Sequence, residues 1–133
     1  MKKIITLVLL AGFVSLWASE KGHDHKNHDH GATKSDKATT ITGEVMDLTC
    51  YISHPDNGQG KDHAKCAQKC IKKGLPVGIK TKDGQLYIAS GNDHKSANAQ
   101  LAQYGGQVVS VTGKIKEQDG VKMIFVKEVK VAK

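Results

Sequence analysis

The chain has 133 residues, with 20 basic side chains against 13 acidic ones and a formal net charge of +7, a length that suits one domain. All of its positive charge is lysine. Without arginine the chain lacks the guanidinium forks on which base and phosphate readout leans, so nucleic acid is not an expected partner. No Ser-His-Asp arrangement, phosphate-binding loop or paired-carboxylate cluster stands out, which argues against hydrolase or kinase chemistry.

In chain order, the first segment is MKKIITLVLLAGFVSLWA, residues 1–18. Two lysines, an apolar run too short to span a bilayer comfortably, and a small residue at Ala18 read as a secretory signal cleaved after that position. The expected location is therefore periplasmic or secreted, with no membrane span once the signal is removed. Removing Lys2 and Lys3 leaves 18 lysines against 13 acidic residues, a net of +5.

Residues 19–39 form the next segment. From Glu20 to Thr39 it carries no apolar residue larger than alanine and cannot bury enough surface to offset its ordering entropy, so a disordered arm is expected. Inside it stands HDHKNHDHG, with His23, His25, His28 and His30. Short His-rich tracts bind divalent transition metals weakly through neutral imidazole, and metal capture is the reading adopted over an inert solvated tail.

Residues 40–133 are read as the folded domain. ITGEVMDL suggests a strand bent or bulged at Gly43. VGIKTKDGQLYIA reads as a hairpin about Asp83-Gly84, and GQVVSVTGKIKEQDGVKMIFVKEVKV as a second about Asp119-Gly120, with a bulge before Val129. In the second hairpin Val109, Val111 and Ile115 share one face of the first strand, and Val121, Met123 and Phe125 one face of the other. Two helices interrupt the strands. DHAKCAQKCIKKGLP is expected to start with Asp62 as N-cap and stop at Gly74. SANAQLAQYG is expected to end with Gly105 in the left-handed conformation. Few aromatics remain, so the core must be aliphatic and modest.

The resulting fold class is mostly β. It has five strands, a cysteine-bearing helical insertion after the first, and a second helix between the third and fourth. Leaving the insertion aside, this order resembles the OB-fold, a five-stranded Greek-key barrel; the resemblance covers Thr40 to Val131, and an SH3-like barrel is the competing reading.

The chemistry-bearing residues gather in one pattern, C-x3-H-x8-H-x2-C-x3-C: Cys50, His54, His63, Cys66 and Cys70. At about 100° per residue, His63, Cys66, Ala67, Cys70 and Gly74 share one side of the helix expected between Asp62 and Gly74, and Lys65, Gln68, Lys69 and Lys72 the other. The thiol side is therefore expected to face inward and the lysine side outward. Ala67, between the thiols, lets a neighbouring backbone come close. Cys50, leaving the end of the first strand, is expected to point at the same face.

Three sulfurs and an imidazole suit Zn(II) in a tetrahedral Cys3His site, or Cu(I) at lower coordination, with His54 as an alternate nitrogen ligand. A disulfide from Cys50 to Cys66 or Cys70, with one spare thiol, stays open, because export permits it. The pattern is neither a haem attachment site nor a thioredoxin-like C-x-x-C.

The run G-x-V-x-D-x2-C-Y, then H-x2-C-A-x2-C, then G-x-P resembles a motif of small exported bacterial domains. The matching residues are Gly43, Val45, Asp47, Cys50, Tyr51, His63, Cys66, Ala67, Cys70, Gly74 and Pro76. The resemblance implies export and a single cysteine-centred site, and it names no reaction.

The expected function is metal binding rather than catalysis: a copper or zinc buffer, chaperone or sensor whose partners are the ion and a metal-receiving exported protein. The alternatives are an interaction module with a structural disulfide or zinc, and a thiol-disulfide oxidoreductase.

Overall fold

The computed structural model describes residues 37–133; the signal segment and His23, His25, His28 and His30 lie outside that range. The strands are β1 (Thr39–Asp47), β2 (Val77–Thr81), β3 (Leu86–Ser90), β4 (Val108–Gln118) and β5 (Val121–Val131). The helices are α1 (Leu48–Ser53), α2 (Ala64–Lys72) and α3 (Asn98–Leu101). Single 3-10 turns precede α2 (Lys61–His63) and follow α3 (Ala102–Tyr104).

The strands form one closed sheet in the order β1-β2-β3-β5-β4. Closure depends on β1 serving two neighbours. Its first half, Thr39 to Glu44, runs antiparallel to β4, and its second half, Gly43 to Asp47, runs antiparallel to β2. The handover falls at Gly43, where a Cβ would lie 2.5 Å from the Lys80 carbonyl oxygen. Only glycine allows the two backbones to approach so closely. β3 meets β5 in parallel through Ile88 to Ser90, and the other pairings are antiparallel.

Both Asp-Gly pairs sit in hairpin turns. At the β4–β5 turn Asp119 and Gly120 both take positive φ, 51° and 80°, the pairing that matches the right-handed twist of the strands. The β4–β5 register shifts between Thr112, opposite Glu128, and Gly113, opposite Val126, so Lys127 is the extra residue of a bulge.

The core is aliphatic. Val45, Ile79, Val109, Val111, Ile124 and Val126 from the sheet join Ile71 of α2 and Leu101 of α3 in one buried cluster, with Tyr87 and Tyr104 packed at its edge. Each large aliphatic side chain so buried contributes about 1.5–3 kcal/mol. Along β5 the inward residues are Ile124 and Val126; Val121, Met123 and Phe125 do share a face, and it is the outer one.

Three local expectations are corrected. Asp62 does not cap α2: it lies inside the 3-10 turn, and the helix begins at Ala64 with His63 in the N-cap position and no side-chain cap. Gly105 is not left-handed, having φ of −50°; the positive φ belongs to Gly106, at 75°. Cys50 does not leave the end of a strand but sits in α1, a helix of six residues that the strand pattern did not announce.

Candidate metal centre

The site is built where α1 and α2 meet. Helix α1 begins because Asp47, the last residue of β1, turns its carboxylate back on the chain: Oδ1 accepts from the Thr49 amide at 3.1 Å. Six residues are too few to persist alone, and tertiary contacts hold them. The Leu48 amide donates to the Pro76 carbonyl at 3.0 Å, tying the start of α1 to the segment that leaves α2. The His54 amide closes the far end on the Cys50 carbonyl at 2.8 Å.

Helix α2 is pinned at both ends. At its C-terminus Gly74 has φ of 97°, its amide donates to Ile71, and the Leu75 amide donates to the Cys70 carbonyl at 3.2 Å. This is a Schellman closure. The Asn98 side-chain amide adds bonds to the carbonyls of Ile71 at 2.8 Å and Leu75 at 2.7 Å. Near its N-terminus Ala64 and Ala67 lie against the backbone of Gly105 and Gly106, so the small side chain at 67 does admit a close neighbour.

The helix is rotated from the expected orientation. Its buried stripe is Ala67 and Ile71, while Cys66 is exposed and Cys70 half-buried. Ile71 is the one large aliphatic side chain of the segment, and its burial sets the rotation. The thiols consequently stand at the margin of the buried stripe, where α1 reaches them. Lys65, Lys69 and Lys72 face outward, as the pattern predicts, whereas Gln68, expected beside them, is half-buried and donates its amide to the Gly105 carbonyl at 3.4 Å.

At that margin the three sulfurs come together: the Sγ atoms of Cys50, Cys66 and Cys70 all lie within 4.8 Å of one another. Metal–sulfur bonds of about 2.3 Å place thiolates about 3.8–4.0 Å apart, so an ion would draw the trio in by less than about 1 Å. The group can hold a metal ion. Cys50 and Cys70 are half-buried and Cys66 is exposed, leaving the centre open on the Cys66 side.

The electrostatics push two of these thiols above their ordinary range. Asp47 is fully buried. Hydrogen bonding with its carboxylate, followed by burial, pushes the Cys50 thiol up to about 12 from an ordinary 9.0. The approach is not a well-aligned hydrogen bond, since Oδ2 has no partner of regular geometry. A carboxylate beside a thiol disfavours the thiolate in either case. Cys70 is raised as well, by burial first and then by Cys66. An ion entering here must displace protons.

The two histidines of the pattern lie outside this group of sulfurs. His63 stands at the entrance to α2 with Nε2 buried and without a partner, and His54 ends α1 on the exposed surface. Asp47 is the residue whose importance the spacing of thiols and imidazoles understated; its place three residues before Cys50 was the available signal. Tyr51 carries the Lys80 ammonium 4.6 Å from its ring centre. Among the described residues no helix is long and apolar enough to cross a membrane. Comparison with protein-family models, with curated proteins and with solved structures gave no match.

Proposed function

We propose that this chain is an exported transition-metal carrier, a buffer, chaperone or sensor for Zn(II) or Cu(I), built on an OB-like barrel. One observation carries the reading: three sulfurs from two separately anchored helices converge within 4.8 Å. The strand order β1-β2-β3-β5-β4, with a helix between β3 and β4, supports the OB-like assignment. The site's open side, at Cys66, suits an ion that is passed on rather than sealed in. His63, three residues before Cys66 and outside the group of sulfurs as they stand, is the nitrogen ligand this reading assigns on ion binding, with His54 as the alternate. The tract His23 to His30 would raise the local ion concentration and feed the centre as a tethered second site. Export is our inference from the leader-like residues 1–18 and from the resemblance to a motif of small exported bacterial domains.

Thiol-disulfide exchange fits less well. The attacking group in that chemistry is a thiolate, and Asp47 and burial hold Cys50 protonated up to about 12.

Native mass spectrometry of the purified protein, with and without reductant, tests the proposal. One ion should be retained by a variant in which His23, His25, His28 and His30 are alanine, lost when Cys50, Cys66 and Cys70 are serine, and surrendered to a weak chelator. A persistent disulfide mass without metal overturns the reading in favour of an interaction module with a structural bond. An ion that no weak chelator removes overturns the carrier role.

A further inference from the structure

Helix α2 carries charge of one sign on its outer side. Lys65, Lys69, Lys72 and, at the C-cap, Lys73 are all exposed, and the segment from Ala64 to Lys73 holds no acidic residue. At about 100° per residue the four lysines span an arc of about 100°, with Cys66 and Cys70 next around the helix, before the buried Ala67 and Ile71. Among the described residues the ion pair formed is Lys130 with Glu128, so none of the four has a carboxylate partner. On the β4–β5 hairpin, by contrast, the signs mix: Lys114, Lys116 and Lys127 stand among Glu117, Asp119 and Glu128.

This arrangement works against the helix that carries it. Lys65 with Lys69, and Lys69 with Lys73, are like-charge pairs four residues apart, which destabilise a helix. Lys65 also lies in the first turn, where the helix dipole disfavours a cation. Solubility alone is served as well by mixed signs. The face is concave besides. The four lysines line a groove of about 390 Å³, and Lys72 continues it beside α3 into a cleft of about 630 Å³ with Ser96 and Gln103. Neither is lined by a carboxylate.

We infer that this groove docks an acidic peptide segment of the protein that gives or takes the ion, and so brings that partner's ligands to the exposed Cys66. What is exchanged rests on the metal-carrier reading above; what is bound rests on the groove alone. The chain's own arm is a poor occupant, because residues 19–36 hold four acidic side chains against three lysines, a net of only −1. A bilayer is a poor one too. The large aliphatic side chain of α2, Ile71, is turned into the core, and no such side chain remains beside the lysines to enter lipid. An acidic partner would be steered to the groove by long-range attraction, which speeds encounter by about 10–1,000-fold and weakens with salt.

The test has two readouts. Docking is measured on the reduced, metal-free chain with a fluorescent oligoglutamate peptide as probe and oligoglutamine as control. Changing Lys65, Lys69, Lys72 and Lys73 together to Gln should weaken glutamate-peptide binding by about 10–100-fold. The same change of charge at Lys114, Lys116, Lys127 and Lys130 should weaken it by no more than about threefold at physiological ionic strength. Amide shifts on adding the peptide to the wild type should fall in α2 and α3 and spare β4 and β5. Transfer is measured from the Co(II)-loaded chain to a cysteine-bearing peptide flanked by glutamates or by glutamines. The glutamate form should take the ion at least about 10-fold faster, and the advantage should vanish in the α2 lysine variant.

Equal weakening by both sets of substitutions, no peptide binding, or binding without faster transfer overturns the inference and leaves the carrier reading standing. Tighter peptide binding after deletion of residues 19–36 overturns it in favour of the chain's own arm. Vesicles of phosphatidylserine and phosphatidylcholine held by the same lysines in preference to the peptide overturn it in favour of a membrane surface. Absence of thiolate-to-cobalt bands in the wild type overturns the carrier reading and the exchange role together. Should the fourfold variant fail to fold, Lys65→Gln combined with Lys69→Gln gives the same comparison.

Discussion

Gly106 and Ala64 meet backbone to backbone: a Cβ at position 106 would lie 2.6 Å from the Ala64 Cα and 2.9 Å from the Gly60 carbonyl oxygen. This contact sets how closely the entrance of α2 docks on the segment leading into β4. It therefore helps set where Cys66 and Cys70 stand relative to α1. Gly106 also has φ of 75°, a region that side chains rarely adopt. Gly106→Ala should cost about 2–3 kcal/mol from strain and overpacking together, measured by urea unfolding. Because the docking shifts, ion affinity should fall as well, which a metal titration will show.

Packing and ligation can be separated on α2 itself. Ile71→Ala empties a fully buried site and should lower stability by about 2–5 kcal/mol. Cys66→Ser alters an exposed position and should shift the stability of the metal-free protein by within about 0.5 kcal/mol. Its ion affinity should nevertheless fall by a factor on the order of 100. Paired denaturation and metal-competition curves decide whether the two effects separate in this way.

Asn98 links α3 to the end of α2 through two carbonyls, those of Ile71 and Leu75. Asn98→Ala leaves both without that donor and should destabilise the protein by about 1–3 kcal/mol. Hydrogen exchange should show the effect concentrated in the last turn of α2, with the amides of β4 and β5 keeping their protection.

The raised Cys50 thiol makes stability depend on pH in a definite direction. The unfolded thiol releases its proton near 9.0 and the folded one near 12, so the folded state binds more protons between those values. The resulting stabilisation is complete below pH 9 and is lost as pH rises through about 12. Cys50→Ser should flatten the fall in denaturation midpoint over that window. Alkylation followed by mass spectrometry should find Cys50 modified slowly at pH 9 in the metal-free protein, and faster in Asp47→Asn.

Local patterns written along the chain carried much of this molecule. Alternation of Val109 and Val111, the Asp-Gly turns and the outward lysines of α2 all follow from side-chain period and turn chemistry within a few residues. The same local logic put Cys66 and Cys70 on neighbouring turns of one helix. What it could not supply was any term arising between distant segments. Helix α1 is too short to form by propensity; it exists because Asp47 caps it and Pro76 accepts a bond from its first residue. The rotation of α2 was decided by Ile71 finding the barrel core, which moved the thiols to the edge of the buried stripe. The meeting of Cys50 with its two partners, and the burial of Asp47 beside them, came only with closure of the sheet. Burial energy and long-range hydrogen bonds are properties of the assembled fold, and they chose among arrangements that the chain's spacing alone left equally open.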